Sequence, residues 1–221
     1  MKTKFVPLKE FPKFSQDEML ERSEKFLELM SKRRSIRSFS DQTIPQEVIE
    51  NAIRTAGTAP SGANMQPWFF AIVKNPDIKK TIRVEAEKEE KEFYSTRAPE
   101  DWLKVLEQFE TNEKKPFLEK APYLIVVFER KYKQDDNGKV TKHYYTKESV
   151  GIATGMLITA LHNSGIAALT HTPSPMNFLN QILNRPQNEK PFLIVVAGIP
   201  GETTTVPNIK RKEFDNIASI Y

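Results

Sequence analysis

The pattern of hydrophobic and polar positions divides the chain into short apolar runs and longer segments with helical periodicity. Continuous apolar runs occur at 68–73, 123–128, 166–170 and 192–196. Runs of this length, rich in aromatic and β-branched residues, are typical of strands that are buried on both faces. The sequence therefore predicts a sheet with a covered interior, and it places helical segments between these strands.

Helical signals fill the intervals between the strands. Ser15, with Glu three residues later, predicts a capped helix start, and Pro45 at the first helical position begins a helix that ends at Gly57. A charged helix is predicted over 78–94, and the most apolar helix over 147–164. Turn residues at 135–138 predict a tight turn, whereas the stretch around residues 102–115 is poorly periodic. The sum is an α+β fold in which helices separate the strands of the sheet.

Length and composition exclude several functional classes. The 221 residues fit one domain over 1–221, with the proline-containing segment 1–15 as an extended arm. There is no cysteine, so disulfides, thiolate nucleophiles and thiolate metal sites are excluded. Three scattered histidines form no local metal motif, and a formal charge of +4 is too small to indicate nucleic-acid binding. No signal region and no apolar run of membrane-spanning length is visible, so a cytoplasmic protein is expected.

Basic residues cluster at one point of the chain. Arg33, Arg34 and Arg37 lie within five residues, with Ser35 among them. Guanidinium groups match phosphate oxygens bidentately, so this cluster is suited to a phosphate-bearing ligand. A solvated basic surface explains the run equally well. Farther on, Arg211 and its lysine neighbours form either a solvated tail or a further cation for the same phosphate.

Two polar segments flank predicted strands. In the turn Ala59–Ala63, proline fixes one φ angle, glycine frees another, and Ser61 adds a hydroxyl, so N–H groups can point toward a ligand. After the third strand, Thr170 and Thr172 alternate and would face the same side, where either could bond a ring nitrogen. An ordinary loop and an exposed strand end are the simpler interpretations of these two segments.

A third polar group lies in the charged helix and beyond it. Glu90 and Tyr94 are four residues apart and share one helical face, and Lys115 follows. A carboxylate, a phenol and an ammonium group could together bind a zwitterion. Considered alone, a surface helix with routine charges is the more ordinary interpretation.

Together these motifs resemble the nitroreductase superfamily of FMN proteins, and within it the iodotyrosine deiodinases. The resemblance covers roughly residues 20–220 in the same order, includes the run 54–63, and is far more specific than any single motif. Further matching segments are His143-Tyr144-Tyr145, Glu148-Ser149-Val150, Val206-Pro207 and Lys210-Arg211-Lys212. Residues 174–177 depart from the mammalian pattern, and a soluble form without the mammalian membrane anchor is expected.

The resemblance implies a nitroreductase-like fold, with a central mixed sheet flanked by helices, in an intertwined homodimer that shares its FMN sites. It implies that Thr172 bonds the flavin N5 and that Arg37 lies beside the N1–C2=O edge, where a cation stabilises negative charge. The other implied FMN contacts are Arg33, Arg34, Ser35, Ile36, Pro60, Ser61, Gly62, Thr170, His171 and Arg211.

The resemblance also implies a substrate. Ala63 would offer its N–H to the phenolate oxygen of a halotyrosine, while Glu90, Tyr94 and Lys115 would bind its zwitterion from a lid at about 85–116. The predicted function is FMN-dependent reductive dehalogenation of halotyrosines, with Thr172 and Ala63 as catalytic residues. NAD(P)H or a reductase partner would supply electrons. Alternatives are a broad NAD(P)H-dependent nitroaromatic or quinone reductase, a non-enzymatic flavin or halotyrosine binder, and a structural dimer without cofactor.

Overall fold

The computed structural model describes residues 5–221, which form two compact units divided after Arg33. The first four residues of the predicted arm lie outside the described residues. Helix α1 (Gln16–Ser31) dominates the first unit. The predicted capping box is confirmed, because Glu18 N–H donates to Ser15 Oγ at 3.2 Å and Ser15 N–H donates to Glu18 Oε2 at 2.8 Å. That the chain is one domain stays a prediction.

The second unit contains two sheets and six α-helices. The strands are β1 (Trp68–Val73), β2 (Tyr123–Arg130), β3 (Tyr132–Gln134), β4 (Val140–Lys142), β5 (Ala167–His171) and β6 (Glu189–Gly198). The helices are α2 (Gln46–Gly57), α3 (Pro76–Glu92), α4 (Glu100–Glu107), α5 (Phe117–Lys120), α6 (Thr146–Asn163) and α7 (Phe178–Ile182).

The main sheet has the strand order β1-β2-β6-β5, and all three strand pairs are antiparallel. A segment before α2 joins the free edge of β5 in parallel, through a bridge between Ser35 and Ala168. There the Ile36 N–H donates to the Ala168 carbonyl at 3.3 Å. The four named strands thus form an antiparallel sheet, where a mixed sheet was predicted, and this isolated bridge adds a parallel pairing at its edge. The basic segment 34–37 thereby meets the edge strand that carries Thr170.

Helices cover both faces of this sheet, which explains why its strands read as continuous apolar runs. On β2, Leu124, Val126 and Phe128 face one core with α3, α5 and α7, whereas Ile125 and Val127 face a second core with α2 and α6. All five side chains are fully buried. The two-faced burial fixes the register of β2, because a one-residue slip would exchange the two sets.

Some element boundaries differ from the sequence predictions. Pro45 caps α2 instead of opening it, and α3 begins at Pro76 because the Asn75 side chain accepts the N–H groups of Asp77 and Ile78. The poorly periodic interpretation of residues 102–115 was wrong in part, since α4 occupies Glu100–Glu107. This helix is only about two turns long, too short for its periodicity to stand out. Within residues 5–221, no helix has the length and apolarity needed to cross a bilayer.

Candidate active site

A cavity of about 810 Å³ lies beside the end of β5. Its walls come from the last turn of α3 and the π-helical turn that follows, from α4, from the segment before α5 and from Arg37. Seven of the predicted site residues line it: Arg37, Glu90, Tyr94, Lys115, Thr170, His171 and Thr172. Residues separated by up to 135 positions in the sequence thus meet around one space.

The centre of the polar wall is a buried ion pair. Lys115 Nζ lies 3.0 Å from Glu90 Oε2, and the two side chains are only 5% and 14% exposed. The same ammonium lies 5.5 Å from the centre of the Tyr94 ring, a cation–π distance. Burial raises the pKa of Tyr94, so its phenol stays protonated and can donate a hydrogen bond at neutral pH.

Surrounding groups hold Lys115 in place. Its backbone N–H donates to Glu87 Oε1 at 2.6 Å, and its ammonium donates to Thr111 Oγ1 at 3.3 Å. Arg83 binds both Glu87 and Glu119, at 2.8 and 3.0 Å, and so ties α3 to α5. Burial alone would raise the pKa of Glu87, but bonds from Arg83 and from the Lys115 N–H lower it overall. Lys115 is therefore anchored through backbone and side chain to one ionised network.

Arg37 presents a half-buried cation to the cavity. Its guanidinium lies 5.9 Å from the centre of the Phe109 ring, and within residues 5–221 no carboxylate pairs with it. Burial lowers its pKa, but an arginine remains charged in proteins. Arg37 also lines a second cavity of about 550 Å³, together with Ser35 and Pro207. The cation therefore faces two adjoining spaces and forms no ion pair within residues 5–221, although Glu90 lines the first space and Glu110 the second. An arginine without an ion-pair partner can accept an anionic ligand.

The end of β5 shows the predicted alternation. Thr170 and Thr172 are exposed toward solvent, whereas His171 between them is 8% exposed and packs edge-on against Phe117 at 5.5 Å between ring centres. Its Nε2 is buried without a hydrogen-bond partner. Burial, with Lys115 and Arg37 nearby, lowers the pKa of His171 to about 3, so its imidazole is neutral. Two hydroxyls and an unpaired cation fit the polar edge of a flavin and an anionic tail, so these residues can hold FMN.

The predicted turn at Pro60–Ala63 does not line this cavity within the same chain. Ala63 adopts the left-handed conformation, with φ 48° and ψ 30°. The following N–H groups donate inside the turn, from Asn64 to the Ser61 carbonyl at 3.0 Å and from Gln66 to Ser61 Oγ at 2.9 Å. The N–H of Ala63 takes no part in these bonds, and Ala63 is exposed.

The remaining predicted FMN contacts lie outside the large cavity. Arg33 is the last residue of the first unit, and its N–H donates to the Met30 carbonyl at 3.2 Å. The Arg34 guanidinium donates to the Pro207 carbonyl. Arg211 lies in the exposed C-terminal segment 208–221. Assignment of these residues to a cofactor stays a prediction.

Sequence reasoning missed several residues of the wall. Trp102, Val105 and Leu106 supply its apolar part from α4, and Thr111 lies between Tyr94 and Lys115. The spacing of Trp102, Val105 and Leu106 is a helical signal that could have been found. Thr111 follows no regular element, so no periodicity marks it. Within the described residues, no cluster of His, Asp or Glu side chains is arranged to hold a metal ion.

Comparison with known proteins identifies the family. The model of the nitroreductase family matches residues 30–199. The chain belongs to the nitroreductase family. The matched residues include the Arg37 cation, the Ser61 turn and the Thr170–Thr172 segment, so the family and the fold class predicted from the motifs are both confirmed.

Individual members of the nitroreductase family are close to this chain. An iodotyrosine deiodinase of Haliscomenobacter hydrossis is 52% identical over 208 residues, which cover 94% of both chains. Iodotyrosine deiodinase 1 of Homo sapiens is 44% identical over 205 residues, or 92% of this chain and 71% of the human protein. Matches of this length cover most of the segment 85–116 as well as the strands and helices around it.

Solved structures agree with the sequence comparison. A crystal structure of oxidised iodotyrosine deiodinase bound to FMN and 3-iodo-L-tyrosine superposes with a TM-score of 0.78, at 31% identity, and covers 89% of this chain and 98% of that chain. A nitroreductase with bound FMN from Bacteroides fragilis gives a TM-score of 0.64 at 19% identity, with 89% and 99% covered. The second likeness establishes the fold alone.

Proposed function

We propose that this protein is an FMN-dependent oxidoreductase that removes halide reductively from halogenated tyrosines. The observation that carries the proposal is the grouping of Glu90, Tyr94 and Lys115 in the cavity that also holds Arg37 and Thr172. An amino-acid zwitterion and an oxidation–reduction cofactor are then bound side by side. The named activities and ligands of the close relatives support the same assignment.

The Glu90–Lys115 pair is suited to an amino-acid head group. The Lys115 ammonium would donate to the substrate carboxylate, Glu90 would accept from the substrate ammonium, and the Tyr94 phenol would donate a further hydrogen bond. A zwitterion carries both opposite charges, so it can exchange with the internal pair without leaving either residue uncompensated in a dry site. The segment 85–116 would act as a lid that excludes water around these charges.

The cofactor would be held by residues on both sides of Arg37. Ser35, Ile36 and Arg37 follow one another along the sheet edge, and Thr170, His171 and Thr172 end the adjacent strand. Arg33, Arg34 and Arg211 would contact the phosphate, and Pro60, Ser61 and Gly62 the ring system. Reduced FMN supplies two electrons to the bound substrate. Thr172 would donate its hydroxyl to the flavin N5, and Arg37 would stabilise negative charge at the opposite edge.

The proposed reaction balances in electrons and protons. The halotyrosine gains two electrons and one proton, the carbon–halogen bond breaks, a carbon–hydrogen bond forms, and halide leaves. The Ala63 N–H would hold the phenolate oxygen and so fix the ring for the transfer. NAD(P)H or a reductase partner would return two electrons for the next cycle.

We also propose that the active species is a homodimer. The turn at Pro60–Ala63 lies away from the Glu90–Lys115 pair within one chain, so a second copy would have to bring the turn to the cavity. On α6, which lies in the same unit as the cavity, the apolar side chain of Ile152 is exposed and is suited to such an interface. Analytical ultracentrifugation should give twice the chain mass of 25.4 kDa, and a monomer with full activity would contradict the shared site.

A steady-state comparison tests the proposed function against a general nitroreductase. The FMN-loaded protein should release tyrosine and iodide from 3-iodotyrosine with a higher kcat/KM than it shows for nitrobenzene reduction, because only the amino acid uses Glu90 and Lys115. Both assays would use the same electron donor, dithionite, and the rate without protein would be subtracted in each, because dithionite itself reduces nitro groups. A preference for the nitroaromatic compound would support the broad reductase instead.

A further inference from the structure

The Ser61–Ala63 turn packs tightly on two consecutive tyrosines. A Cβ atom added to Gly62 would lie 3.2 Å from Tyr145 Cδ2 and 3.3 Å from the Tyr144 carbonyl oxygen. These distances leave almost no free space, so the turn cannot move toward the tyrosines. The position of the Ala63 N–H therefore depends on where Tyr144 and Tyr145 are held.

Tyr145 is held in an uncommon backbone conformation. It precedes α6 with φ 52° and ψ 35°, in the left-handed region that bulky residues rarely adopt. Its side chain makes no capping bond, but its carbonyl accepts the Ser149 N–H at 3.0 Å and the Ser149 hydroxyl at 2.6 Å. Such a conformation persists only where neighbouring groups enforce it.

Thr146, the residue after Tyr145, is held by a buried carboxylate. The hydroxyl of Thr146, the first residue of α6, donates to Glu129 Oε1 on β2. Glu129 is 2% exposed and also accepts the Lys131 ammonium at 2.5 Å. Burial alone would raise the pKa of Glu129, but the bonds from Lys131 and Thr146 lower it overall, so the group is ionised. A negative charge at the start of α6 also matches the helix dipole.

The same end of β2 fixes the other side of the turn. Glu129 is paired in register with Trp68, the first residue of β1, and the Arg130 N–H donates to the Pro67 carbonyl at 2.8 Å. The turn thus continues into β1 at one end and contacts Tyr145 at its tip. The first of these positions is fixed by Glu129 and Arg130, and the second depends on Glu129 through Thr146.

We propose that Glu129, acting through Thr146 and Tyr145, is a positioning residue that sets the Ala63 N–H for the phenolate oxygen of the substrate. The inference rests on the proposed function, because it needs a halotyrosine to be bound by Ala63. Glu129 itself touches neither substrate nor cofactor. Its loss should therefore alter phenolate recognition more than binding of FMN or of the zwitterion.

The deciding variant removes one hydroxyl. Thr146→Val keeps the side-chain shape but cannot donate to Glu129, whereas Thr146→Ser restores the donor. Thr154→Val is the matched control, because Thr154 is equally buried on α6 and its hydroxyl bonds only to the Val150 carbonyl of its own helix. Glu129→Gln, which keeps the volume and removes the charge, is an independent second variant.

Binding of 3-iodotyrosine would be followed across pH by the change in FMN fluorescence. The wild-type protein should bind more tightly as the phenol ionises. Thr146→Val and Glu129→Gln should bind about tenfold more weakly, as expected for a displaced charge-assisted hydrogen bond, and the rise in affinity should move to higher pH. FMN affinity should stay within about twofold, and Thr146→Ser and Thr154→Val should match the wild type.

Each remaining outcome counts against the inference. Unchanged iodotyrosine affinity in Thr146→Val and Glu129→Gln would overturn it. Equal losses of FMN and iodotyrosine affinity, or failure of both variants to fold, would also overturn it, because Glu129 would then stabilise the core alone. A wild-type protein that binds FMN but no iodotyrosine would instead overturn the proposed function. The wild-type titration therefore separates the two failures.

Discussion

Lys115 and Glu90 form the buried ion pair on which the proposed substrate binding rests. Lys115→Ala should weaken 3-iodotyrosine binding by about 100-fold, because it removes a charge-assisted contact and leaves Glu90 buried without its cation. FMN affinity should be unchanged. Fluorescence titration of the FMN-loaded protein with 3-iodotyrosine measures the effect.

Lys114→Ala is the matched control, since Lys114 is the exposed neighbour of Lys115. Equal iodotyrosine affinity in Lys115→Ala and Lys114→Ala would remove the lid residues from the proposed site.

His171 gives a prediction for stability against pH. Its folded pKa of about 3 lies below the ordinary value of 6.5, so the unfolded chain takes up a proton that the folded chain refuses. The stability from the neutral imidazole is complete above pH 6.5 and is lost as the pH falls from 6.5 toward 3. Within this range, each unit of falling pH lowers the free energy of unfolding by at most about 1.4 kcal/mol.

Urea unfolding at several pH values checks this prediction. When the pH falls from about 6.5 to about 5, the free energy of unfolding should drop by up to about 2 kcal/mol less in His171→Gln than in the wild type, because glutamine does not titrate. His162→Gln, on α6, serves as the control histidine variant. If the wild type and His171→Gln show the same pH dependence of unfolding, His171 takes up a proton as readily in the folded protein as in the unfolded chain, and its burial as a neutral group is wrong.

For individual residues, the sequence predicted which side chains line the cavity better than it predicted the contacts among them. Glu90 and Tyr94 could be paired from their four-residue spacing because both sit on one helical face. The link to Lys115 came from resemblance, since no local spacing connects it to α3. The roles of Glu87, Arg83 and Glu129 could not be foreseen, because an acidic residue in a charged segment gives no sign of being buried in a network.

Among the elements, the strands were predicted well because both faces of the sheet are covered. Trp68–Val73 has the predicted bounds, and β2 extends two residues beyond its apolar run because Glu129 and Arg130 pair with β1 and β6. Helix α4 and the β3–β4 hairpin strands were missed because each is short and exposed. A pattern of few residues carries too little periodicity to separate it from a loop.

Gly198, the last residue of the interior strand β6, shows how tightly this end of the sheet is packed. A Cβ there would lie 2.7 Å from Phe39 Cδ1 and 2.8 Å from Pro122 Cδ. Gly198→Ala should therefore lower the free energy of unfolding by about 1–3 kcal/mol, the usual cost of overpacking. Denaturant unfolding measures the change.

Gly57→Ala is the control for Gly198→Ala, because it adds the same methyl group at an uncrowded position. No atom lies within 4 Å of a Cβ at Gly57, which ends α2, so this variant should keep its stability or gain slightly. If Gly198→Ala is as stable as Gly57→Ala, the close approach of Phe39 to β6 is wrong.

For the whole molecule, the nitroreductase fold brings two functions to one sheet edge. The basic segment 34–37 joins β5 in parallel, and Glu90 and Lys115 line the same cavity as the end of that strand. Composition alone could exclude cysteine chemistry but could not select a substrate, because the lid residues are ordinary charged residues until they are brought together. The specific substrate class follows from their grouping and from the family.

The most direct test of this account is an anaerobic turnover experiment. The FMN-loaded protein would be reduced with dithionite and mixed with 3-iodotyrosine, and tyrosine and iodide would be quantified by chromatography. The reduced wild-type protein should release one tyrosine and one iodide for every two electrons consumed, and the Lys115→Ala variant should give little product. Iodotyrosine recovered intact from the reduced wild-type protein, while a nitroaromatic compound is reduced, would contradict it.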